Sequence, residues 1–319
     1  MKCSAMTMCF RLTVCFAACF ILLTGLPGAA MGVPSATPAQ ARVHTAPAWL
    51  AEINRYRLAA DLTPVIDQPA WDIGLQHHLR YLALTPKRYF TGQYQSLHTE
   101  NPSSPDYTQD GAKEARSSDL LEGIFHSTAV EVIDVWLRAP FHATGMLRPD
   151  LRQVALAYDP STGAGALDVI SGLVYSMSAP TKPALFPGPG VTTNLTTFSG
   201  EVPNPLETCG WSAFGTYGLP FIALLTQSPS HSLRASLSGP GGLHETSGAK
   251  NLCIVDDITY HSSDPVYGPT GKQILTADHA VYLLPRLPLR TGAYQVSIVQ
   301  PKQAGITWTF QVRAAAPGA

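Results

Sequence analysis

Between Pro47 and Leu84, apolar side chains return every three or four positions. Trp49, Ile53, Tyr56 and Ala60 are spaced 4, 3 and 4, and Trp71, Leu75, His78 and Leu82 repeat that spacing. Each set lies along one face of a helix, and Pro69 suits the first turn of the second. A third helix is expected from about Thr128. There Thr128 and Glu131 form a capping-box pattern ahead of Val130, Ile133, Trp136 and Leu137. A weaker helix, capped by Asp110 and stopping at Gly123, is expected before it. WLRAPFHATGML, Trp136 to Leu147, then puts His142 in a turn after Pro140.

After Pro149 the pattern changes to strand. VALAY (154–158) and ALDVISGLVY (166–175) flank DPSTGAG, which reads as a hairpin loop. SAPTKPALFPGPG follows with four prolines, which predicts a stiff linker at 179–190. Beyond it the helical signal is lost. FIALLT (221–226), HSLRASL (231–237), AVYLL (280–284), YQVSIV (294–299) and ITWTFQV (306–312) are short and separated by turns. In the last, Ile306, Trp308, Phe310 and Val312 alternate with Thr307, Thr309 and Gln311, the period of a strand with one face on a core. These strands predict an all-β, immunoglobulin-like sandwich over 191–313, with a tail at 314–319. The fold class is therefore α+β.

The start of the chain adds a compartment. Lys2 and Arg11 precede the apolar run Leu12–Leu26, and Pro27, Gly28, Ala29 and Ala30 close it. That is the form of a secretory signal peptide, with cleavage after Ala30 or Ala41. The run is short for a membrane span. Four of the six cysteines, Cys3, Cys9, Cys15 and Cys19, lie in this leader. Cys209 and Cys253 are then the sole candidates for an intrachain disulfide in an oxidising compartment. Without residues 1–41 the chain has nineteen basic and twenty-two acidic residues, a net charge of −3 with histidine neutral. No basic surface for nucleic acid is implied, and no transmembrane segment is expected after cleavage.

Several separated motifs in the first half resemble those of the CAP superfamily (cysteine-rich secretory proteins, antigen 5, pathogenesis-related 1). They are Asn54 and Arg57 in N-x-x-R, the loop Leu62-Thr63-Pro64-Val65, the helix ending HHLRYLAL, and LHTE at 97–100. Trp136 then leads into Ala139-Pro140-Phe141-His142. The resemblance covers about residues 47–178. It implies a three-layer α-β-α sandwich over 42–178 and a cleft holding two histidines, here His98 and His142. Many members add two glutamates. Here Ser118 stands at the first such position, with Asp119 and Glu122 near it, and Leu137, Arg138 and Ala139 replace the second. Phe141 replaces the family's glycine, which would line or narrow the cleft or fill a packing gap. The second half is similar to the β-domain that some exported bacterial members append.

His98 and Glu100 are two apart, so an extended backbone would turn both to one side. With His142 they make a candidate zinc set of two imidazoles and a carboxylate, open to water. The same residues could instead form a hydrogen-bonded cluster without an ion. His78 is read as a core histidine, His77 as solvent-facing, and Arg57 as pairing an acid across the fold. GWSAF (210–214), GLHETSG around His244-Glu245, and GPTGKQ (268–273) fall short of hydrolase, metalloprotease and phosphate-loop motifs, and read as turns. Asn194-Leu195-Thr196 is a formal glycosylation sequon.

Three functions follow. The first is a binding module whose cleft (His98, Glu100, Ser118, Asp119, Phe141, His142) takes a small apolar molecule, an envelope component or a protein partner. The second is a zinc-dependent extracellular hydrolase using His98, Glu100 and His142. The third is adhesion or polysaccharide binding through exposed aromatics of the β-domain such as Tyr260 and Tyr267.

Overall fold

The computed structural model describes residues 46–123, 128–175, 180–248 and 250–314. The leader and both candidate cleavage points lie outside them. The described residues form one compact unit, of mixed α and β structure.

The first half contains α1 (Ala48–Ala59), β1 (Ile66–Asp67), α2 (Asp72–Leu84), α3 (Gln109–Ser117), β2 (Ser118–Leu121), α4 (Ala129–Arg138), α5 (Pro140–Leu147), β3 (Gln153–Asp159) and β4 (Ala164–Asp168). Its sheet runs β1-β3-β4-β2, with β1 parallel to β3 and the other pairs antiparallel. Side chains alternate across it. Ala155, Ala157, Ala164 and Ala166 meet Leu75 and Leu79 of α2, and Val154, Leu156 and Leu167 join the core with Ile133 and Trp136 of α4. Helices thus cover both faces.

Asn54 and Arg57 tie the loop after α1. Asn54 exchanges two hydrogen bonds with the Val65 backbone. Arg57, fully buried, donates to the carbonyls of Thr63, Met146, Arg148 and Leu151. Its partners are therefore carbonyls at the end of α5 and the start of β3, where an acid was expected. Burial pushes its pKa down to about 10.

The capping box at Thr128 and Glu131 forms as expected. Other local expectations need correction. α3 is capped by Thr108, whose hydroxyl accepts from the Gly111 N–H, and it stops at Ser117, where edge strand β2 begins. β4 ends at Asp168, whose Oδ1 accepts from the N–H groups of Ile170 and Ser171. That Asx turn leaves 170–175 outside the strand. His142 lies in the first turn of a helix. Ala139 is extended, and Pro140 restarts the helical path at N1.

The second half carries β5 (Ala184–Phe186), β6 (Thr192–Thr193), β7 (Thr197–Phe198), β8 (Tyr217–Gly218), β9 (Phe221–Leu224), β10 (Arg234–Gly239), β11 (Leu243–Thr246), β12 (Leu252–Val255), α6 (Gly268–Ala277), β13 (Ala280–Pro285), β14 (Gly292–Val299) and β15 (Ile306–Val312). Two larger sheets run β11-β10-β14-β15-β6 and β12-β13-β9-β5, and β7 pairs with β8. Phe221 and Phe310 meet between the two larger sheets at 5.5 Å. In β15, Trp308, Phe310 and Val312 are buried and the intervening residues exposed. Cys209 and Cys253 form a disulfide with Cα atoms 5.8 Å apart.

Three expectations fail in this half. The proline-rich stretch read as a linker carries β5, which pairs with β9. GPTGKQ, read as a turn, opens helix α6 with Pro269 in its first turn. His244 and Glu245 lie in β11. No helix among the described residues is long and apolar enough to cross a membrane.

The halves share one core. Tyr56 Oη lies 2.7 Å from Thr193 Oγ1, and Thr144 Oγ1 lies 2.9 Å from Tyr282 Oη. Arg148 forms an ion pair with Asp278 at 3.1 Å.

Candidate functional site: a cleft closed by both halves

His98 precedes α3. Its Nδ1–H donates to the Ala115 carbonyl at 3.0 Å, which makes Nε2 the basic nitrogen of the neutral ring. The ring stands edge-on to Tyr267, with centroids 6.3 Å apart. The Leu97 N–H donates to the Tyr267 hydroxyl, so this aromatic is fastened beside the histidine. Burial is the main reason the His98 pKa falls to about 4, and the nearby His142 adds to the fall. His98 is therefore neutral at physiological pH.

His142 is held differently. Its Nδ1–H donates to Glu201 Oε2 at 2.7 Å. The same carboxylate accepts from the backbone N–H groups of Phe141 and His142, at 3.0 to 3.3 Å. Glu201 thus caps the start of α5 and orients the imidazole in one contact. Burial opposes charge on His142. The Glu201 hydrogen bond and the negative charges of Asp119 and Glu201 outweigh it, and the pKa is raised. Burial also raises the Glu201 pKa, against the pull of His142 and the two N–H groups. Nothing local in the sequence singles out Glu201. The signal missed is indirect: a buried histidine at a helix start needs a partner.

Asp119, in β2, is half-buried beside His142. Burial pushes its pKa to about 7, and its Oδ2 has no hydrogen-bond partner. Ser118, next to it, is buried and its Oγ also lacks a partner. It borders the same hollow as Asp119, His98 and His142, and it pairs in register with Asp168 of β4.

Glu100 does not join the histidines named with it. Its Oε1 meets His78 Nδ1 at 2.9 Å, and its Oε2 accepts from the Thr108 N–H. Both side chains of that pair are fully buried between α2 and α3. His77 is half-exposed and meets Asp110. With Glu100 turned to His78, the zinc set is not assembled. Among the described residues no three His, Cys, Asp or Glu side chains are grouped to hold a metal.

Phe141 is buried and also borders a hollow beside His142 and Asp119, so it both packs and lines. Its ring stands edge-on to Tyr260 and Tyr282, at 5.6 and 5.1 Å. Tyr260 and Tyr267 are half-buried, packed against Phe141 and His98 respectively, as is the default for aromatics.

His98 and His142 do converge. They stand at one end of a cleft of about 570 Å³ whose walls include Leu97, Leu121, Val135, Trp136 and Phe198. Glu122 also borders it, with its pKa raised by burial. A second hollow of about 410 Å³ adjoins the first and shares His98, His142, Val202 and Tyr267 with it. Residues of both halves close the two hollows. No protein-family model matches this chain, and no curated protein matches it.

Proposed function

We propose that this is an exported CAP-type binding protein whose cleft takes an apolar molecule with a polar end. The observation that carries the reading is the pairing of apolar walls with two differently poised imidazoles at one end. Neutral His98 offers a hydrogen-bond acceptor through Nε2. His142, with its raised pKa, offers a donor. A ligand hydroxyl both donates and accepts, so it can engage both rings while its body is removed from water along the walls. Such burial contributes roughly 25 cal/mol per Å² of apolar surface.

Helices on both faces of the first sheet support the CAP-like arrangement. The paired larger sheets of the second half support the β-sandwich. The disulfide supports an oxidising compartment and hence export. The metal-assisted hydrolase finds less support, because Glu100 is committed to His78.

Native mass spectrometry of protein purified without detergent, with organic extraction, is expected to reveal a bound apolar molecule. Val135→Trp should fill the cleft and abolish uptake of a fluorescent fatty alcohol. Protein free of any extractable ligand, with equal alcohol uptake by wild type and variant, would sink the reading.

A further inference from the structure

The adjoining hollow adds its own set of polar groups to those of the cleft. Ser96, Thr99 and Gln273 bring uncharged polar groups to it, and Asp119 borders it. Asp119 Oδ2 is buried with no partner in the protein. Arg148, also at this hollow, is already bound to Asp278. A buried carboxyl without a partner is costly, and a ligand supplying one hydrogen bond recovers much of that cost.

We propose that the ligand is a single-chain glycolipid-like amphiphile. Its chain lies in the apolar cleft, and a neutral, hydroxyl-bearing head lies in the adjoining hollow against Asp119. The inference rests on the apolar-ligand reading of the cleft and names the head group. A hydroxyl satisfies Asp119 in either protonation state, donating to the carboxylate or accepting from the acid. An anionic head would bring its charge beside Asp119, and a cationic head would meet His142 and Arg116, which also border this hollow. The neutral hydroxyl-rich head escapes both repulsions. His98, His142, Val202 and Tyr267 line both hollows, so the junction of chain and head falls between the two histidines.

The test uses chain-matched probes on the whole protein, titrated calorimetrically below their micelle concentrations at neutral pH. The probes are dodecyl β-glucoside, dodecanol, dodecanoate and dodecyltrimethylammonium. The glucoside is expected to bind most tightly. Asp119→Ala should weaken the glucoside by about tenfold and leave dodecanol unchanged. Asp119→Asn, which keeps a donor and an acceptor, should retain most of the affinity. Thermal unfolding confirms that the variants fold, and the ranking of heads on wild type needs no variant at all. Equal affinity for every head, or tightest binding of a charged head, overturns this inference and leaves the apolar cleft standing. Binding of none of the four overturns the cleft reading as well.

Discussion

A single carboxylate, Glu201, sets the state of the histidine that the sequence marks most clearly. Without it, burial, which favours the neutral ring, would be opposed only by the charge of Asp119. Glu201→Gln should therefore lower the His142 pKa. Histidine NMR titration measures this, and an unmoved pKa would exclude Glu201 as the controlling partner. His98 should continue to titrate near 4, since its own pKa follows chiefly from burial. The sequence revealed both histidines because their motifs are local. It assigned Glu100 to them by proximity along the chain. The fold sent that carboxylate to His78, which is fully buried on α2 and meets Glu100 through its Nδ1. Partners across the fold are a matter of packing, which periodicity does not encode.

Elements were legible where two signals agreed. α4 has both an amphipathic face and a capping box, and it forms with the start that its sequence implies. Thr128→Ala should cost about 1 kcal/mol in urea unfolding. A change confined to noise would mean the box adds nothing beyond packing. α6 was missed because its first residues, Gly268 to Gly271, hold two glycines and a proline. Glycine argues against a helix interior, yet Gly271 sits where a side chain would strike the Tyr260 hydroxyl at 2.4 Å. Tertiary fit overrode propensity there. The strand β5 was hidden in the same way among prolines. Its residues are wholly buried, and pairing with β9 supplies the backbone bonds that no local pattern announces.

Across the whole molecule, buried acids shape the response to pH. Burial raises Glu114 to about 7, with Asp168 reinforcing it, and raises Asp119 to about 7 and Asp134 to about 6. A proton between Glu114 and Asp168 would satisfy two otherwise unpartnered oxygens. A carboxyl whose pKa is raised on folding binds its proton more tightly in the folded state. Its contribution is present below the unfolded value near 4 and is lost as pH rises toward 7. His98 works the other way, losing stability as pH falls from 6.5 toward 4. With three carboxyls against one imidazole, the thermal midpoint should be higher at pH 5.5 than at pH 7.5, as calorimetry can check. A flat or opposite trend would show that these carboxyls are solvated.

The disulfide adds a separate constraint, bridging positions 44 apart. Reduction, or Cys209→Ser, is expected to cost about 2–4 kcal/mol, read from the shift in the urea midpoint at constant slope. The α+β class and the longer β-strands, such as β3, β14 and β15, could be read from the sequence. The joining of the halves could not, because Tyr56 with Thr193 and Thr144 with Tyr282 are contacts between positions more than a hundred apart.

Glu201 lies 59 positions beyond the histidine that it holds. The cleft is thus joint property, owned by neither stretch of chain. A truncation ending near residue 178 would lose the His142 anchor and the Tyr267 wall together. Its silence in a binding assay would say nothing about which half recognises the ligand. A chimaera carries the same trap: exchange of one half preserves the histidines but not their charge state. The informative dissection is one residue wide, at Glu201, and it leaves both halves in place.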